Sequence, residues 1–283
     1  MIARLDIIDN LLDSLERDAL TQEQMLAYCE EHRHILNSNI EQALPRHKVK
    51  TVSEAIAACL DCYAADKEAI LANHAAFSRA AGEVTERIVQ TYGHDIPNVV
   101  LVPCIGLYAN GGWAQQAEDR SYVCVALERL PPGGPLDALL THEIAHGIAE
   151  THWNVVLDGF YDEGHATYVS SVLCPGYPEA VYYMMAGREW LPRYLDWIDD
   201  NRDRILEDAG KPLQVLNDEH KFYFTSSYNP DTPNIGYVIG TLYVRYLHQR
   251  HSLHELRTFG KQDDLNRESF AAFLSEWTWD GRV

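Results

Sequence analysis

No stretch of this 283-residue sequence approaches the ~18 consecutive apolar residues of a membrane-spanning helix. The opening residues, Met1-Ile2-Ala3-Arg4-Leu5-Asp6, lack a long apolar core, and acidic residues recur at Asp6, Asp9, Asp13 and Glu16. No secretory leader and no membrane partner are expected, and the cytoplasm is the expected location. Basic residues are scarce: 23 Lys and Arg stand against 42 Asp and Glu, a net charge of −19. A nucleic-acid partner requires a basic footprint and is excluded. Internal repeats, low-complexity tracts and flexible linkers are also missing. The six cysteines, Cys29, Cys59, Cys62, Cys104, Cys124 and Cys174, are scattered in mostly apolar surroundings, as reduced buried cysteines are. Cys59 and Cys62 form a C-x-x-C. No second pair follows at zinc-finger spacing, so packing is its expected role.

A hydrophobic content of 46% supports a sizeable core, in one large domain or two intimate ones. Residues 1–92 read as helical. Leu5, Ile8, Leu11, Leu12 and Leu15 recur at helical spacing. Thr21-x-x-Gln24 and Thr51-x-x-Glu54 are capping boxes, and Pro45 is expected to close the helix that Thr21 opens. His32, His34, His47 and His74 lack ligand spacing and read as surface or capping residues.

The pattern changes at Gly93. Residues 98–107 are β-type, 108–113 turn-like, and 121–127 a second strand. Pro135 suits the first turn of the next helix. Residues 178–200 are helical and aromatic-rich, 212–233 irregular, and 267–279 a final packing helix. Gly236 and Gly240 sit in a helix that runs to about Arg250. They make sense where another backbone or a substrate passes close by. The expected fold is α+β and mainly α, with a helical N-terminal region at 1–92 and a second region, sheet then helices, at 93–283.

Within this frame, Leu139 to Gly147 carries His142-Glu143-x-x-His146 in a helical apolar pattern. At roughly 100° per residue, the two imidazoles leave one helix face a turn apart, where they can grip one zinc ion. Glu143 then sits beside the metal, where a carboxylate can take a proton from activated water. Glu163-Gly164-His165-Ala166-Thr167-Tyr168 comes next and opens a second helical run.

H-E-x-x-H followed by E-G-x-A resembles the gluzincin metallopeptidases, closest to their loosely characterised, predicted zinc-dependent proteases. The resemblance spans about residues 98–280. It implies a zincin-like small sheet over the active-site helix, and a Zn2+ ion held by His142, His146 and Glu163 with a fourth position open for water. It implies peptide-bond hydrolysis of a peptide or protein substrate, with Glu143 as general base. It also implies a tyrosine or histidine donor to the oxyanion. Tyr237 is the first choice because it begins the glycine-bearing helix, and Tyr228, Tyr223 and His220 stay open. Thr167 stands where several members carry an aspartate that orients a histidine; Asp158 and Asp162 are alternatives. His165 lies about 200° round the helix from Glu163 and is not expected to ligate.

Two other readings compete. His152 has the third-histidine spacing of the metzincins, although Ala149 replaces their turn glycine. Alternatively, the site binds zinc in a non-catalytic regulatory or interaction protein, a use that leaves the intact Glu143 without a purpose. Tyr108 to Trp113 is the expected edge of a substrate groove. Nothing in the sequence specifies an oligomeric state.

Overall fold

Thr21 and Thr51 each accept a hydrogen bond from the backbone N–H three residues on, and Gln24 and Glu54 return it, as the two sequence boxes predict. The helices they start are α2 (Gln22–Glu31) and α4 (Val52–Ala65), preceded by α1 (Asp9–Glu16). The Thr21 helix does not run on to Pro45. It breaks at His32, and α3 (Arg33–His47) carries Pro45 inside its C-terminal end. A similar break at Asp66 opens α5 (Lys67–Tyr92). The structure is a computed structural model and describes residues 1–117, 120–183, 191–214, 217–225, 229 and 231–276.

The N-terminal region is not wholly helical. Ile2–Arg4 is a strand, β1, that pairs in parallel with β2 (Asn98–Cys104). Gly112–Ala117 forms β3, which the turn-like composition concealed, and β4 (Arg120–Ala126) completes a sheet in the order β1-β2-β4-β3. β2 runs parallel to both neighbours, and all of it after Asn98 is buried. That explains its unbroken apolar run. β3 is antiparallel to β4, with Gly112 opposite Val125. The fold is therefore α+β and mainly α, with a small mixed sheet.

The chain divides into two compact units, Met1–Gly147 and Ile148–Val283. The N-terminal helices thus share a unit with the sheet and with α6 (Leu136–Ile148) as far as Gly147. Asn73 on α5 explains part of this: its buried amide donates to the carbonyls of Leu127 and Leu130 at 3.0 and 2.9 Å.

The link between β2 and β3 is held from several sides. Leu107 and Tyr108 are both left-handed, with φ of 55° and 54°. Such a conformation costs a non-glycine residue on the order of 1–3 kcal/mol and persists only where its surroundings impose it. Here they do. Glu128 accepts from the N–H groups of Gly106 and Tyr108 at 2.7 and 3.1 Å. The Asn39 amide donates to the Gly106 carbonyl and accepts from Asn110 N–H. Arg46 donates to the Ala109 carbonyl at 2.9 Å, and Tyr108 donates its hydroxyl to Asp66 at 2.8 Å. His47 lies 2.8 Å from the Leu107 carbonyl, which explains a histidine without ligand spacing.

Glu128 makes this clamp sensitive to pH. Burial pushes its carboxyl from an ordinary 4.5 up to about 7, against the backbone N–H groups that favour the charged form. Between those values the folded chain holds a proton that the unfolded chain has lost. The stabilisation is complete below about pH 4.5, falls as pH rises, and is gone above about 7. Two and a half pK units correspond to about 3 kcal/mol. Urea unfolding of wild type and Glu128→Gln from pH 5 to 8 is expected to show a stability difference that changes by about that amount. A difference independent of pH refutes the assignment.

The second unit contains α7 (Val156–Leu173), α8 (Glu179–Tyr182), α9 (Leu191–Asp200), α10 (Arg202–Ala209) and α11 (Asp218–Phe224). It also contains α12 (Ile235–His248), α13 (Leu253–Phe259) and α14 (Asp263–Glu276). α11 lies in the stretch expected to be irregular. The final helix starts at Asp263, ahead of the expected Arg267, and Trp279 lies outside the described residues. Gly164 of α7 and Gly240 of α12 bring two backbones together: a Cβ on Gly164 would meet the Gly240 Cα at 2.5 Å. Among the described residues, no helix is long and apolar enough to cross a membrane.

Candidate metal centre

α6 lies tightly against the sheet. Leu140, Ile144, Ala145 and Ile148 are fully buried. At its C-terminal end, a Cβ on Gly147 would come within 2.8 Å of Ser121 Oγ and 3.1 Å of a Val123 methyl, so glycine is what lets the helix lie on β4. One turn earlier, the Glu143 side chain rests on the start of β3. A Cβ at Gly112 would meet Glu143 Oε1, Cγ and Cδ at 2.6, 2.7 and 2.9 Å.

His142 is buried and His146 half-buried, and their Nε2 atoms are 3.1 Å apart. The rings stand nearly perpendicular, with centroids 4.8 Å apart. Two Zn–N bonds of about 2.0–2.1 Å at a tetrahedral angle set their nitrogens about 3.3 Å apart, so this donor pair suits a zinc ion. Glu143, between them in sequence, is only 6% exposed.

Glu163 belongs to the second unit. It does not open a helix but sits in the middle of α7, which begins at Val156. The start is displaced because Asp158 accepts from Asn154 and Val155 N–H at 2.8 and 3.0 Å and so caps the helix. Asp162 holds the preceding loop, accepting from Thr151 Oγ1 and Trp153 Nε1 at 2.8 and 3.0 Å. Both aspartates considered as orienting groups are thus engaged in fastening residues 151–155. Thr167 is fully buried, with no hydrogen-bond partner for its hydroxyl among the described residues. His165 is fully buried and stacks on Tyr161. His152 follows the end of α6, is 42% exposed in its side chain, and points Nδ1 at Asp263 Oδ1, 3.6 Å away.

The oxyanion-donor candidates separate clearly. Tyr223 is fully buried and donates its hydroxyl to Asp208 at 2.7 Å, so it is committed to α10. Tyr237 is half-buried in the first turn of α12, its ring 6.2 Å from that of Phe224. His220 on α11 is half-buried; burial holds its imidazole below the usual pKa, and the Glu163 carboxylate acts against that shift. Its Nδ1 has no hydrogen-bond partner among the described residues. Tyr228 lies outside the described residues. Sequence reasoning overlooked Gly112 and Gly147, the two glycines that seat α6 on the sheet; the Gly111-Gly112 pair before Trp113 was the available signal for the first.

No family model, no curated protein and no solved structure matches this chain.

Proposed function

We propose that this protein is a zinc-dependent peptidase with a zincin-like arrangement of sheet and active-site helix. The observation that carries the reading is the 3.1 Å convergence of the His142 and His146 Nε2 atoms on a helix whose Glu143 lies against an edge strand. His142, His146 and Glu163 would hold the ion. Three protein ligands leave a fourth position open, the catalytic pattern and not the closed structural one. When bound, zinc supplies Lewis acidity, polarising a carbonyl and lowering the pKa of water to about 7.

The chain's own groups do the rest. Glu143 takes the proton of the attacking water and delivers it to the leaving nitrogen. Tyr237 donates to the carbonyl oxygen as it gains charge, with His220 as the second candidate, favoured by its place beside Glu163. β3 is the last strand of its sheet, so an extended peptide can pair along its outer edge. His152 is the weaker third ligand, because its imidazole is held towards Asp263.

Glu143→Gln tests the reading and separates it from a non-catalytic zinc protein. The variant keeps the shape of the side chain and loses its basicity. Zinc content is expected to stay at one per chain, while hydrolysis of a mixture of internally quenched peptides falls by at least about 100-fold, within the range that positioned acid–base groups contribute. Equal turnover by the two proteins removes Glu143 as the base. Absence of turnover by zinc-loaded wild type removes the peptidase reading.

A further inference from the structure

Glu143 does not reach its position by its own rotamer alone; it needs the strand beside it to be bare. Its carboxylate and Cγ occupy the space that a side chain at Gly112 would fill, with Cβ separations of 2.6–2.9 Å that real Cβ atoms do not show. Something must therefore move when a methyl is added, and the neighbours decide what. β3 is held from several directions. Ala126 N–H donates to the Gly111 carbonyl at 2.9 Å, and Gly112 is in register with Val125 of β4. Trp113 Nε1 donates to the Ile35 carbonyl and Gln115 to the His34 carbonyl, at 3.3 and 2.7 Å, which ties the strand to α3. Upstream, Asn39, Arg46 and Glu128 clamp residues 106–110. α6 is fixed in turn, since Gly147 already rests on Ser121 and Val123. With both backbones held, the three nearest atoms that a Cβ at Gly112 would meet belong to the Glu143 side chain, and it is these that must shift.

We propose that Gly112 is a positioning residue for Glu143: a bare α-carbon at the start of β3 lets the carboxylate lie against the strand, and the N-terminal helices serve the site by holding that strand in place. The role rests on the peptidase reading. It gives α3 and the 106–110 clamp a purpose beyond packing. It also separates two functions within one site, because the three nearest atoms that a Cβ at Gly112 would meet all belong to Glu143 and none to an imidazole.

Gly112→Ala is the test, made in the full chain. Crystal structures of wild type and variant are expected to show the Glu143 carboxylate displaced by about 1 Å or more, with the β3 and α6 backbones superimposable. Misplacement on that scale costs about 100-fold in rate. We therefore expect kcat on the quenched peptides to fall about 100-fold, with KM and zinc affinity each within about threefold of wild type. If Gly112→Ala folds poorly, adding Glu143→Ala should restore its melting temperature, because the clashing side chain is gone. An unmoved carboxylate, an unchanged kcat, or a folding defect that Glu143→Ala does not repair overturns the inference. A wild-type protein that binds zinc but cleaves nothing overturns the peptidase reading and the positioning role with it, and the two crystal structures then report the steric contact by themselves.

Discussion

Gly164→Ala is expected to unfold the second unit or to destabilise it by at least about 4 kcal/mol. Ordinary substitutions cost 0.5–3 kcal/mol, and larger values need a specific cause. Here the cause is two backbones in contact. A methyl on Gly164 would fall on the Gly240 backbone, and one on Gly240 would fall on the Phe160 carbonyl and come within 2.9 Å of the Gly164 Cα. No rotamer relieves a collision with main-chain atoms, so α7 and α12 must separate. Their separation would loosen a core that includes Phe160, Tyr243 and Phe270, packed at centroid distances of 5.7 and 5.0 Å around Phe270. Gly82→Ala on α5 is the control, because nothing lies within 4 Å of a Cβ there. That change should be neutral or stabilise by up to about 1 kcal/mol, the helix preference of alanine over glycine. Urea unfolding followed by circular dichroism compares the two. A loss below about 1 kcal/mol for Gly164→Ala refutes the close contact.

The same glycines show how far the sequence could be read. Gly236 and Gly240 stand against helix formation, and that local conflict pointed to a close neighbour before any neighbour was known. The identity of the neighbour was not legible, because helix pairing is settled by residues distant in the chain. α6 was legible throughout: Pro135 precedes it, apolar residues recur at its period, and the two histidines share its face. β3 was not. Trp113-Ala114-Gln115-Gln116-Ala117 has no β-branched residue, and its conformation comes from pairing with β4 and from the tie of Trp113 to Ile35. β1 is three residues long, too short to display a period, and its strand state comes from β2. The start of α7 was misplaced because Val155 offers no capping side chain; Asp158, three residues on, does that work. The division into units at Gly147 was not legible for a related reason. A change from helical to β patterning at Gly93 marks a change of local structure, whereas Asn73, Asn39 and Glu128 join the two patterns through buried hydrogen bonds.

The third ligand gives the largest expected effect on the metal. Glu163→Ala is expected to lower zinc affinity well beyond the 10–100-fold that loss of an outer hydrogen-bond partner of a ligand costs, and to abolish hydrolysis. His152→Ala is expected to leave zinc affinity within about threefold. Two neutral imidazoles supply no charge to offset that of a divalent ion, and a carboxylate does. His152 is turned towards Asp263 and 42% exposed, so removing it disturbs a surface pair that contributes about 0–1 kcal/mol. Affinities should be measured by competition with a chromophoric chelator at one pH, because protons compete with zinc for His142 and His146. If His152→Ala loses the metal and Glu163→Ala keeps it, the site follows the metzincin spacing and Glu163 is not a ligand.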